Sequence, residues 1–227
     1  MSMTLNVPPD PNQTDVPDYS CLVVVDVQND FCPGGALAVP EGDRVVPVLN
    51  AWIKKFRERG LPVVYTKDWH PADHSSFKPN GGIWPPHCVQ HTCGSDFHPD
   101  LLVEGTVFVK GFVANREAYS GFDSRLQAAE SQVTSQVAGQ VAGNSKASAQ
   151  EETFGPLLGE WLRQQGVKRI YVGGLATDYC VKATVLDGLK EGLEVVVIRD
   201  AVRAVNVNKG DGDRAIDEMA KAGATVI

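Results

Sequence analysis

The chain of 227 residues is 43% hydrophobic and carries a formal net charge of −7, a balance that argues against a nucleic-acid binder with its basic patch. No stretch approaches the roughly 18 consecutive apolar residues of a membrane span, and the length suits one large α/β domain or two small ones. The five cysteines (Cys21, Cys32, Cys88, Cys93 and Cys180) form an odd, sparse set, which is no disulfide framework and points to a reducing, cytoplasmic compartment.

Residues 1–18 are polar, hold four prolines and read as a flexible lead-in without the basic and apolar regions of a signal peptide. The run 21–27 is almost wholly apolar, as expected of a strand buried on both faces of a parallel sheet. Its one charge is Asp26. A carboxylate there is costly unless paired or functional, and a structural acid bonded to loop amides is the competing reading. Val45, Leu49, Trp52, Ile53 and Phe56 recur at helical spacing, and the helix should stop at Gly60. Residues 61–66 are the second strand. Asp68-Trp69-His70-Pro71-Ala72-Asp73-His74 follows, then an irregular stretch through Pro99 that is too long for an idle connection.

Residues 106–110 form a third strand that ends on Lys110, and a helix is expected from Phe122. Residues 127–152 change character: Gln, Ala, Ser and Val dominate, with a Gln-Val-Ala-Gly repeat at 136–143. This reads as a low-complexity surface insertion, with a frayed amphipathic helix as the alternative. Thr153 is expected to cap a helix bearing Leu157, Leu158, Trp161 and Leu162. Strands at 169–173, 194–198 and 225–227 then alternate with helices at 178–190 and 213–221. The alternation predicts an α/β, three-layer, doubly wound fold. Its sheet should be mostly parallel, five- or six-stranded and flanked by helices, in one domain over 19–227.

Ligands of such sheets bind outside the carboxyl ends of the strands. Four ends bring an acid (Asp26), candidate metal ligands (Asp68 and His70), a cation (Lys110) and a thiol (Cys180) to that edge. Gly173 and Gly174 make a turn, Thr177 and Asp178 can cap a helix, and Cys180 falls in its first turn. Backbone N–H groups and the helix dipole would stabilise a thiolate there. An inert cysteine packing a βα unit is the alternative. A thiol needs help to ionise at neutral pH. Asp26 could take its proton and later protonate a leaving group, while Lys110 holds both anions; a plain Asp26–Lys110 salt bridge is the bland option.

Asp68, His70 and His87 offer one carboxylate and two imidazoles and would leave open positions on a metal. His87, Cys88, His91 and Cys93 are a rival cluster for structural zinc, without the paired cysteine spacing. His74 is expected behind the ligands rather than among them. Phe31 and Trp84 could wall a flat substrate, or simply pack.

These stretches together resemble the nicotinamidases of the isochorismatase-like cysteine hydrolases. The matches are the segment with Asp26 and Phe31, the Asp68-Trp-His70-Pro segment, Trp84-Pro-Pro-His87, Lys110-Gly, Tyr119-Ser-Gly-Phe and Gly-Leu-Ala176-Thr-Asp-Tyr-Cys180, spread over about 20–200 in family order. The resemblance implies a hydrolase domain over 19–227 and an amidohydrolase acting on a linear amide, feeding NAD salvage. Asp26, Lys110 and Cys180 would be the catalytic triad. Asp68, His70 and His87 would hold one divalent metal, zinc first, with iron or manganese as alternatives. Phe31 and Trp84 would sandwich the pyridine ring of nicotinamide, with its nitrogen on the metal. A cis bond between Leu175 and Ala176 would turn the N–H groups of Ala176 and Cys180 toward an oxyanion. Relatives that act on N-carbamoyl or ureido compounds resemble the triad but not the metal site. A small-molecule partner is implied, with no nucleic acid and no membrane; a homo-oligomer is left open. The insertion at 127–152 departs from the compact family pattern.

Overall fold

Strand β1 (Ser20–Val25) is buried at every position, as its unbroken apolar run requires. The structure, a computed structural model, describes residues 14–127 and 154–227. Helix α1 (Val45–Glu58) buries Val45, Val46, Leu49, Trp52, Ile53 and Phe56 along one face. It stops at Gly60, whose φ of +67° lets its N–H reach the Arg57 carbonyl while that of Leu61 reaches Phe56. Then come β2 (Val63–Asp68), β3 (Thr106–Lys110), β4 (Arg125–Gln127), β5 (Phe154–Leu157) and α2 (Leu158–Gln164). The chain continues as β6 (Arg169–Leu175), α3 (Lys182–Lys190), β7 (Glu194–Arg203), α4 (Asp211–Lys221) and β8 (Thr225–Val226).

The strands form one sheet in the order β5-β4-β3-β2-β1-β6-β7-β8. From β3 through β8 the pairs are parallel, whereas β4 runs antiparallel to both β3 and β5. Side chains alternate across the pleat. Leu22 and Val24 join the core under α1; Cys21, Val23 and Val25 join the opposite core with residues of α2, α3 and α4. The three-layer, mostly parallel fold is therefore as expected. The chain winds outward from β1 in one direction and from β6 in the other. The crevice beyond their adjoining ends is the switch point where such sheets bind ligands.

Eight strands, rather than five or six, make the sheet. The two additional ones, β4 and β5, flank residues 128–153, which lie outside the described residues and contain Thr153 and nearly all of the expected insertion. β4 is too short to show a period, and Phe-Gly-Pro-Leu of β5 carries two residues that weaken a strand signal; its Pro156 is tolerated at the sheet edge. Leu157 therefore precedes α2 instead of lying within it, with its N–H held by Glu160. The helix expected from Phe122 is a single 3₁₀ turn (Gly121–Asp123). β7 runs past Ile198 to Arg203, because Arg199 and Asp200 interrupt the apolar run without ending the strand. Of the expected lead-in, residues 1–13 lie outside the described residues. Val16 is fully buried and its carbonyl accepts from Arg59, so the end of that segment is pinned to α1. Among the described residues, no helix is long and apolar enough to cross a membrane.

Candidate active site

Asp26 follows β1 directly, with φ of +48° and no solvent exposure. Its Oδ1 accepts from the Thr66 hydroxyl at 2.7 Å, and its Oδ2 lies 3.0 Å from Lys110 Nζ. Parallel pairing of β2 with β3 sets Lys110 beside Asp68, and the two side chains form a second ion pair. Lys110 Nζ also lies 3.5 Å from Cys180 Sγ and 3.3 Å from the Ala118 carbonyl. One buried ammonium thus bridges two carboxylates and the thiol.

Burial alone would neutralise Lys110, but Asp26 and Asp68 outweigh it and hold the amine well above its usual range. Burial also opposes charge on Asp68, yet Lys110 and the two histidines keep it ionised, below the usual carboxylate range. Asp26 is pushed up, by burial first and by Asp68 as well, against the pull of Lys110. Burial pushes the Cys180 thiol up too; Lys110 opposes this and Asp26 adds to it. The resting sulfur is therefore a thiol beside a lysine-paired carboxylate positioned to take its proton.

Cys180 lies in a π-helical turn (Thr177–Val181) between β6 and α3, not in the first turn of an α-helix. The Val181 N–H reaches back to the Ala176 carbonyl at 3.1 Å. The Leu175–Ala176 bond is cis, as expected. Asp178 does not cap this turn. Its carboxylate accepts from the N–H groups of Val205 and Asn206, at 2.9 and 2.8 Å, and ties the β7–α4 connection to the cysteine.

Across the cavity, Asp68, His70 and His87 each offer a ligand atom within 4.8 Å of the others. His70 Nδ1 faces the Gly111 carbonyl at 2.9 Å and His87 Nδ1 faces the Pro85 carbonyl at 2.8 Å. Each contact calls for a proton on Nδ1 and leaves the Nε2 lone pair for a cation. His74 is committed on both sides. Its Nδ1 accepts from Ser76, and its Nε2 meets the Arg116 carbonyl at 3.2 Å, so it supports His70 by a tilted ring contact, with centroids 4.3 Å apart. Asp26, Asp68 and Cys180 are also mutually within 4.8 Å, but Lys110 Nζ contacts all three. His91 packs on Trp69 and Cys88 Sγ points to the Gly94 carbonyl, so the rival cluster at 87–93 is not assembled.

A family model for the isochorismatase domain matches residues 20–138 and 144–227. The chain belongs to the isochorismatase family. It is 40% identical over 222 residues to a nicotinamidase of Escherichia coli, covering 90% of this chain and 92% of that one. To a nicotinamidase/pyrazinamidase of Mycobacterium tuberculosis it is 36% identical, with 91% and 97% covered. A crystal structure of the pyrazinamidase of Pyrococcus horikoshii in complex with zinc matches with a TM-score of 0.74 and 42% identity, covering 93% of this chain and 99% of that one.

Within this family member, one cavity joins the two halves of the site. Cys180, Ala176, Asp68, His70 and His87 reach it, and Phe31 and Trp84 wall it. Asp26 and Lys110 are fully buried behind the thiol. Leu37, Val39, Glu117 and Val205, also on the walls, are absent from the sequence-based candidates, and Tyr179 stands there only inside a matched stretch. The same holds for Tyr119. Tyr119 Oη accepts from the Trp84 indole at 3.1 Å, and Tyr179 meets the same indole edge-on at 5.3 Å. The position next to Cys180 was the available signal for Tyr179. Nothing local marked Leu37, Val39, Glu117 or Val205, which come from loops that only the fold brings together.

Proposed function

We propose that the protein is a metal-dependent nicotinamidase that converts nicotinamide to nicotinate and ammonia through a thioester on Cys180, within NAD salvage. The Asp68–His70–His87 group on the same cavity as the Cys180 thiol carries this reading, because the sibling amidases share the triad but not these ligands; the Lys110 contact with both Asp26 and Cys180 supports the covalent step. The likeness to nicotinamidases and to a zinc-bound pyrazinamidase supports it. Five free cysteines suit a cytoplasmic setting.

Asp68, His70 and His87 would hold the ion, with zinc first and iron or manganese as alternatives, since a mixed nitrogen and oxygen set suits all three. When bound, the ion supplies an acceptor for the ring nitrogen and so orients the ring. Phe31 and Trp84 would flank the ring. Asp26 takes the Cys180 proton as Sγ bonds to the carboxamide carbon, and the N–H groups of Ala176 and Cys180 receive the charge that develops on oxygen. Asp26 hands that proton to the departing nitrogen; the C–N bond breaks and ammonia leaves a thioester. A water then loses a proton to Asp26 and adds to the same carbon. The C–S bond breaks, nicotinic acid leaves and loses its proton to water as nicotinate, and the sulfur recovers its proton from Asp26. Lys110 keeps the buried anions paired throughout.

Ammonia release from nicotinamide, pyrazinamide, benzamide and ureido compounds tests this. Pyridine-type amides should turn over, benzamide should lag for want of a ring nitrogen, and a chelator should abolish a turnover that zinc restores. Preferred turnover of a ureido compound, indifferent to the chelator, would overturn the reading in favour of a sibling amidase.

A further inference from the structure

Two side chains just beyond Asp26 hold the metal ligands' backbone without lining the cavity. Gln28 is fully buried. Its Oε1 accepts from the Asp68 N–H and its Nε2 donates to the Asp68 carbonyl, both at 2.8 Å. The same Nε2 donates to the Ser95 carbonyl at 2.9 Å. Asp30 spans two loops. Its Oδ2 accepts from the N–H of Cys88, the residue after His87, at 2.7 Å, and its Oδ1 accepts from the Ala36 N–H at 3.1 Å. Gly94 leaves the space: a Cβ there would stand 2.1 Å from Asp30 Oδ2.

Both ligands need such support. The Asp68 carboxylate is drawn to Lys110 as well as toward His70, so its backbone must be held if one oxygen is to stay on the metal side. Cys88 has φ of +45°, a conformation that an L-residue keeps only where its surroundings impose it. The bond from Asp30 imposes it, one residue from the His87 ring.

We propose that Gln28 and Asp30 are positioning residues that set the affinity of the Asp68–His70–His87 centre for a divalent ion, an inference that rests on the metal-binding reading above. The short loop after β1 would then carry the proton acceptor and, two and four residues on, the template for two metal ligands. Zinc affinity of metal-free wild type, Gln28→Glu, Asp30→Asn and His87→Ala, measured by competition with a chromophoric chelator, tests it; near-ultraviolet circular dichroism and thermal melting report the fold. Glu cannot donate to the Asp68 and Ser95 carbonyls, and Asn cannot accept from two N–H groups through both of its terminal atoms. Folded Gln28→Glu and Asp30→Asn should bind zinc roughly 10–100-fold more weakly, with saturating zinc restoring kcat. Affinities within about twofold of wild type in the folded variants would overturn the proposal. Asp30 is only half-buried and Asn keeps its volume, so Asp30→Asn decides the matter if Gln28→Glu does not fold. If His87→Ala binds zinc as tightly as wild type, the metal site itself is misassigned, a different failure.

Discussion

Lys110 holds its ammonium 3.5 Å from the sulfur of Cys180, in a position with no solvent exposure. Of Asp26, Lys110 and Cys180, only the thiol lines the cavity, and the other two are fully buried behind it. The buried lysine is the counter-charge between two buried carboxylates and the thiol.

Lys110→Met should leave Asp26 and Asp68 buried without that partner. Removing one member of a buried ion pair costs roughly 3–5 kcal/mol, and chemical denaturation should show a loss of this size together with loss of turnover. Adding Asp26→Asn should restore part of the stability, since one orphaned charge disappears. Fully additive losses would show that the two groups are not coupled.

Cys180→Ala should release no ammonia while its zinc content matches wild type, because the sulfur lies outside the Asp68–His70–His87 set. Substantial residual turnover would rule out the covalent route.

Asp26→Asn separates proton transfer from thiol ionisation. Burial first, and then the Asp26 charge, push the thiol above its ordinary range. A raised pKa means that thiolate is scarce at neutral pH and grows as pH rises. Without the negative neighbour the thiol titrates lower, so iodoacetamide should label Cys180 faster than in wild type at about pH 8. Turnover should nonetheless fall by roughly 10²–10⁴-fold, since the proposed proton acceptor is gone. Slower labelling would mean that Asp26 promotes the thiolate instead.

Gly111→Ala should weaken the metal site from outside the ligand set. Gly111 has φ of +66°, and an added Cβ would stand 2.3 Å from His70 Cε1. The ring must then shift away from the carbonyl that orients it. Zinc binding should weaken roughly tenfold or more, with the overall fold retained. An unchanged affinity would show that the ring has room to move.

The six parallel strands were legible because each is a short apolar or β-branched run, and α1 because its buried residues recur at helical spacing. β4 and β5 were not: three residues cannot show a period, and Gly155 and Pro156 read as breakers. Asp68, His70 and His87 could be picked out as types that bind metals, and their resemblance to a known pattern ranked them together. Nothing in the local sequence could show that His74 has both ring nitrogens occupied, since Arg116 comes from another loop.

By itself, the sequence determined that a parallel sheet would carry an acid, a lysine and a thiol to one edge, because each apolar run and the polar residue that ends it are local features. Only the tertiary structure decided the state of that thiol. A helix N-terminus would lower the pKa of Cys180; the fold instead buries it in a π turn against Asp26, and burial first, then Asp26, push the thiol up. Burial and through-space charge depend on residues far apart in the chain: Lys110 and Cys180 are 70 positions apart and 3.5 Å from contact atom to contact atom.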